Sequence, residues 1–226
     1  MREIIFDTET TGLDPLQGHR IVEIGCVELM NHVATGRTYQ AYINPERSVP
    51  TEASMVHGLT DEFLAKHPVF AEIVDQFLEF IGDAPLIAHN APFDMGFINA
   101  ELGRLGFSTI PMQRAIDTVA MARKMFPGAP ASLDALCKRF GVDLSGRKLH
   151  GALLDSHLLA EVYLELRGGR QPDLAIVATK TVEAVQIEEN RNREFRVPRT
   201  HAPSEEELHA HEIFLAQIKE PLWKRA

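Results

Sequence analysis

Cysteine is almost missing from this chain: two residues in 226, Cys26 and Cys137. Two cysteines cannot build a disulfide framework or a zinc cluster. Both lie in apolar stretches and read as reduced core residues. Long apolar runs are missing too. No stretch approaches the roughly 18–20 residues that span a bilayer. The N-terminal Ile4-Ile5-Phe6 run ends at Asp7, too short for the core of a secretion signal. The expected location is therefore cytoplasmic. Positive charge is scarce, with 23 Lys and Arg against 32 Asp and Glu and a formal net charge of −9. That balance disfavours gripping nucleic acid through a broad basic face. It still allows a local site built from metal ions or a few side chains. The 45% hydrophobic content is ordinary for a folded protein and argues against wholesale disorder. The length suits one α/β domain with a short appendage.

The first third of the chain reads as three antiparallel strands: 3–7, 20–29 and 37–43, with Gly12, Asp14, Pro15 and Gly18 in the first connection and Asn31 and Gly36 in the second. Helical spacing follows. Phe70, Ile73, Val74, Phe77, Leu78 and Ile81 repeat as one face, with Pro68 at the entry and Gly82 past the end. A short strand at 85–88, a helix at 93–105, a short strand at 115–117 and helices at 132–140 and 149–166 complete the pattern. Strands first, then strand–helix alternation, predict an α/β fold with a mixed central sheet and flanking helices. Residues 169–203 lose all period and read as a linker. Ser204 followed by Glu205-Glu206-Glu207 signals the start of a last helix.

The acids are the informative residues. Asp7 and Glu9 end the first strand, and alternate strand residues face the same side. Asp94 follows the apolar strand, in His89-Asn90-Ala91-Pro92-Phe93-Asp94. Asp155 lies inside a helix among leucines, where an unpaired acid is costly. Four such acids, if they converge, repel one another unless cations are present. Oxygen ligands without cysteine point to Mg²⁺ or Mn²⁺. Two ions about 4 Å apart suit in-line phosphoryl displacement. That chemistry needs a base for water. His150, five residues before Asp155, belongs in a loose first turn or the loop before it, and histidine ordinarily titrates near neutral pH.

Asp7-Thr8-Glu9-Thr10-Thr11-Gly12, His89 to Asp94, and His150-Gly151-Ala152-Leu153-Leu154-Asp155 resemble, in order and spacing, the three motifs of the DEDDh 3′–5′ exonucleases. The resemblance implies a ribonuclease-H-like fold, two divalent cations and release of 5′-mononucleotides. By it, Asp7, Glu9, Asp94 and Asp155 are the metal ligands and His150 is the general base. Substrate contacts are implied for Asp7, Glu9, Asp155, Glu52 and His57, with Thr10, Thr11, Asn90 and Phe93 shaping the pocket for the 3′ end. Residues 122–128, 132–137 and 149–155 are further similar to the proofreading (epsilon) subunits of bacterial DNA polymerase III. The domain organisation implied is an exonuclease domain at 1–168, a linker at 169–203 and a polymerase-binding segment at 204–226.

In that segment Leu208, Phe214, Leu215, Ile218 and Trp223 are the implied contacts with the polymerase III alpha subunit. Gln171, Leu174 and Ile176 resemble a sliding-clamp motif. A small third core subunit is a further expected partner, and a single-stranded or mismatched DNA 3′ end the expected substrate. Two rival readings share these residues: a free-standing exonuclease on RNA or oligonucleotides, and a chiefly structural bridge between polymerase and clamp.

Overall fold

In the computed structural model, residues 1–146, 149–169 and 202–218 are described. Two compact units occur, one within Met1–Leu174 and one within Ala175–Ala226. The first contains β1 (Arg2–Thr10), β2 (Ile21–Met30), β3 (Val33–Tyr42), α1 (Thr51–His57), α2 (Asp61–Leu64), α3 (Phe70–Ile81), β4 (Leu86–Ala88), α4 (Ala91–Arg104), β5 (Ala115–Asp117), α5 (Thr118–Met125), α6 (Leu133–Phe140) and α7 (Ala152–Leu166). The second contains α8 (Glu205–Gln217).

The five strands lie in the order β3-β2-β1-β4-β5. The first three pair antiparallel, while β4 runs parallel to both β1 and β5. The sheet is mixed, as the sequence predicts. β1 sits at its centre and its side chains alternate between two cores. Ile4 and Phe6 face a layer with Phe70, Phe77 and Phe97 from α3 and α4. Ile5 faces the other, with Leu136 of α6 and Leu159 and Tyr163 of α7. Carrying that alternation onward sends Asp7 and Glu9 to the α7 side and Thr8 to the α4 side.

Several boundaries differ from the sequence reading. β1 does not stop at Asp7. Thr8 and Thr10 are β-branched and pair with Ile24 and Ile21, so the strand continues to Thr10. β3 starts at Val33, because Asn31 and His32 both take positive φ (52° and 69°) and turn the chain tightly. α7 begins at Ala152 rather than 149, since Gly151 is extended (φ −153°), and His150 therefore lies in the preceding loop. α4 starts two residues early, at Ala91, with Pro92 in its first turn. Helices α1, α2 and α5 are absent from the sequence reading. α1 buries one side chain, His57, so it carries no apolar period to detect.

Ser204 caps α8 as expected. Its hydroxyl accepts the Glu207 N–H, and Glu207 returns a carboxylate to the Ser204 N–H at 2.8 Å. No helix among the described residues is long and apolar enough to cross a membrane.

Candidate active site

The end of β1 brings its carboxylates to the start of α7, and β2 builds the seat on which α7 rests. Gly25 lies opposite Asp7 across the β1–β2 ladder. A Cβ on Gly25 would stand 2.2 Å from the backbone of Ala152 and Leu153, so the first turn of α7 fits against β2 because that residue is glycine. The Ser156 hydroxyl donates to the Gly25 carbonyl at 2.9 Å. Glu23, buried and opposite Glu9, turns its Oε2 to accept the Ala152 N–H at 3.1 Å, and its Oε1 accepts from the Gln40 amide at 2.8 Å. Glu23 thus satisfies an orphan donor of α7 in place of a side-chain cap, and α7 delivers Asp155 in its first turn.

Single ligand atoms of Glu9, His150 and Asp155 all lie within 4.8 Å of one another. His150 Nδ1 is 3.2 Å from Asp155 Oδ2. Its backbone N–H donates to the Val56 carbonyl at 3.1 Å, which ties the loop to α1. Leu149, beside it, packs over Gly58, where a Cβ would meet Leu149 Cδ1 at 2.7 Å. Asp94 does not cap its own helix. Its Oδ1 accepts both the Thr8 N–H (3.0 Å) and the Thr8 hydroxyl (2.7 Å), locking α4 to β1.

Burial pushes the Asp7 carboxyl well above the ordinary carboxylate range, and the charges of Asp94, Glu9, Asp155 and Glu23 push it further. Burial likewise raises Asp94 to about 7, against the two Thr8 hydrogen bonds that favour its ionised form. Buried, mutually repelling carboxylates with hard oxygen donors are a donor set suited to divalent cations.

Two clefts meet here. The smaller, about 320 Å³, is lined by Asp7, His89, Ser132, Leu133, Asp134, His150 and Asp155. The larger, about 640 Å³, runs from Thr8 and Glu9 past Thr10, Thr11 and Phe93 to Glu52 and His57 on α1. His57 Nδ1 accepts the Leu59 N–H at 3.0 Å, so its neutral ring carries the proton on Nε2, and burial lowers its pKa. Thus the structure brings Asp7, His150 and Asp155 to the smaller cleft, Glu9, Thr10, Thr11, Glu52, His57 and Phe93 to the larger, and ties Asp94 to Thr8 between them. Asn90 does not line either cleft. It holds a left-handed conformation (φ 70°) ahead of α4, and its N–H donates to Asp117 Oδ1 at 3.1 Å. Gln171, Leu174, Ile176 and Trp223 lie outside the described residues. The sequence reading missed Glu23, Gly25, His19, His89 and Asp134 as parts of the site.

The Exonuclease family profile matches residues 4–163. Over 223 residues the chain is 54% identical to the DNA polymerase III subunit epsilon of Rickettsia felis, covering 96% of this chain and 97% of that one. The chain belongs to the DNA polymerase III epsilon family. The epsilon subunit of Escherichia coli K12 is 42% identical over 237 residues, with 99% and 97% covered. The nuclease domain of 3'hExo, a DEDDh family member bound to rAMP, shares the fold at a TM-score of 0.64 and 20% identity, over 74% of this chain and 92% of its own. Exonuclease X in complex with 5′-overhanging duplex DNA superposes with a TM-score of 0.58 at 25% identity, covering 73% and 90%. As a member of the epsilon family, the chain is a metal-dependent 3′–5′ exonuclease, the proofreading subunit of a replicative DNA polymerase, acting on DNA.

Proposed function

We propose that Asp7, Glu9, Asp94 and Asp155 hold two divalent ions, Mg²⁺ or Mn²⁺, over the terminal phosphodiester of a DNA strand, and that each turnover releases a 5′-mononucleotide. The observation that carries this reading is the convergence of Glu9, His150 and Asp155 within 4.8 Å, beside an Asp7 that burial and like charge keep reluctant to ionise. Bound ions would offset that repulsion and stabilise the charge that develops on the phosphoryl oxygens.

The chain's own residues do the rest. Asp155 faces His150 Nδ1 and orients the ring, so that Nε2 takes the proton of the attacking water. Thr8 fixes Asp94. The larger cleft, with Thr10, Thr11, Glu52, His57 and Phe93 as contacts, seats the unpaired 3′ end, and Asn90 acts only through the entry of α4, which carries Phe93. A mismatched end costs less to splay from its template, which biases excision toward errors. We further assign 1–168 to catalysis, 169–203 to a linker and 204–226 to docking on the polymerase III alpha subunit, with Gln171, Leu174 and Ile176 for a sliding clamp and a small third core subunit as an added partner.

The test is excision from matched and 3′-mismatched primers with Mg²⁺, Mn²⁺ or excess chelator. Excision of mismatches first, dependent on either ion and lost in Asp155→Ala, is the expected result; robust excision in chelator defeats the reading.

A further inference from the structure

The β1–β2 connection is closed at its neck. The Thr11 N–H donates to the Arg20 carbonyl at 2.9 Å, and the Arg20 N–H donates to Thr11 Oγ1 at 3.0 Å. The Arg20 guanidinium is held in turn by both oxygens of buried Glu101 on α4, at 2.7 and 2.9 Å. His19 stands beside this neck and is restrained from two sides. Its ring lies against Gly12, where a Cβ would come within 2.3–2.6 Å of Cε1, Nδ1 and Nε2. Its Nδ1 is 3.1 Å from Thr11 Oγ1.

Hydrogen accounting then fixes the tautomer. Thr11 is fully buried, and its oxygen already accepts from the Arg20 N–H. Among the described residues the hydroxyl proton finds its acceptor in His19 Nδ1. Nδ1 must accept, so neutral His19 carries its proton on Nε2. The result is a pre-set N–H donor on the wall of the larger cleft.

The charged groups of that wall are of one sign. Among the described residues the lining holds Glu9, Asp14 and Glu52 and no lysine or arginine, so its donors are neutral ones, among them His57 and Gln17 beside His19. Carboxylates can only accept hydrogen bonds. A nucleotide likewise presents acceptors, on its phosphate and along its base edges. We infer that His19 is a substrate-binding residue whose Nε2–H donates a hydrogen bond to an acceptor on one of the two terminal nucleotides seated in this cleft. The inference rests on the cleft being the seat of the 3′ end.

Two substitutions separate the donor from the scaffold. His19→Asn places an amide where Nδ1 stood, keeping a partner for Thr11 but losing the donor. His19→Gln returns an N–H close to the Nε2 position. With the full chain and single-stranded oligonucleotides, H19N should raise KM about five- to tenfold and leave kcat within about twofold, as loss of one hydrogen bond implies. H19Q should recover most of that loss, at a melting temperature lowered by the Thr11 hydroxyl it leaves without its Nδ1 acceptor.

Oligonucleotides carrying a methylphosphonate linkage or a 3-deazaadenine at the last two positions identify the acceptor as phosphate or base edge. Wild type should lose affinity on one of them, and H19N should be indifferent to the same change. A wild-type KM in H19N, equal impairment of H19N and H19Q, or equal sensitivity of wild type and H19N to every modified strand would overturn the assignment. A wild type indifferent to every change in the terminal nucleotides would instead defeat the reading of the cleft itself.

Discussion

Asp7 and Asp94 are strained by their neighbours' charge and by burial, and each side chain holds its proton more tightly in the folded chain than in the unfolded one. Without metal, raising the pH from about 4, where a free aspartate ionises, through the Asp94 value of about 7 therefore removes stability. Asp7→Asn deletes one charge from the cluster. In chelator at pH 8 this variant should melt higher than wild type by about 3 °C, the shift expected from roughly 1 kcal/mol in a chain of this size. The gap should narrow toward acid pH, as the Asp7 carboxyl takes up its proton; calorimetry at pH 8 and pH 5 checks it. His150 should behave differently. His150→Ala should lower turnover by about 10²-fold or more while the divalent-ion requirement persists. Steady-state rates across a divalent-ion titration of wild type and variant check both.

At the scale of elements, the seat of α7 on β2 carries the site's precision. Gly25→Ala forces a Cβ into the Ala152–Leu153 backbone, so α7 must move. The cost should be about 1–3 kcal/mol of stability. A displacement of about 1 Å at Asp155 and His150 should cost around 10²-fold in kcat. Gly103→Ala on α4, where nothing lies within 4 Å, is the control and should leave kcat unchanged. Chemical unfolding and steady-state rates measure both. This seat also marks where sequence reading runs out. The order of the strands and longer helices and the four acids were legible, because apolar period and local motif carry them. Glu23 was not. A lone acid in a strand looks like any solvent-facing residue until α7 arrives from 129 residues downstream to offer its N–H. His19 is of the same kind, since its role depends on Gly12 and Thr11 folding back upon it. Helices α1 and α5 stayed hidden because so few of their side chains are buried.

At the scale of the whole molecule, the catalytic residues all lie in the first compact unit, while α8 lies in the second. Leu208 and Phe214 of α8 are about half exposed, at 49% and 57%. On α8 Leu208, Phe214 and Leu215 fall within one 120° arc, a face suited to a partner groove, and Ile218 follows just past the helix in extended backbone. Deleting residues 200–226 should leave excision of free single strands within about twofold of wild type, while abolishing co-purification with the alpha subunit; losing even one aromatic anchor commonly costs about 2 kcal/mol of binding. The seat on Gly25 has a consequence for heredity. On the proposed division of labour, a lesion there should silence excision yet leave residues 204–226 intact, so the altered subunit should compete for polymerase on equal terms with a normal copy. In a cell carrying both alleles the mutator trait is dominant and grows with gene dosage. By the same proposal, loss of the tail should yield a protein that never displaces its normal counterpart, and that trait should be recessive.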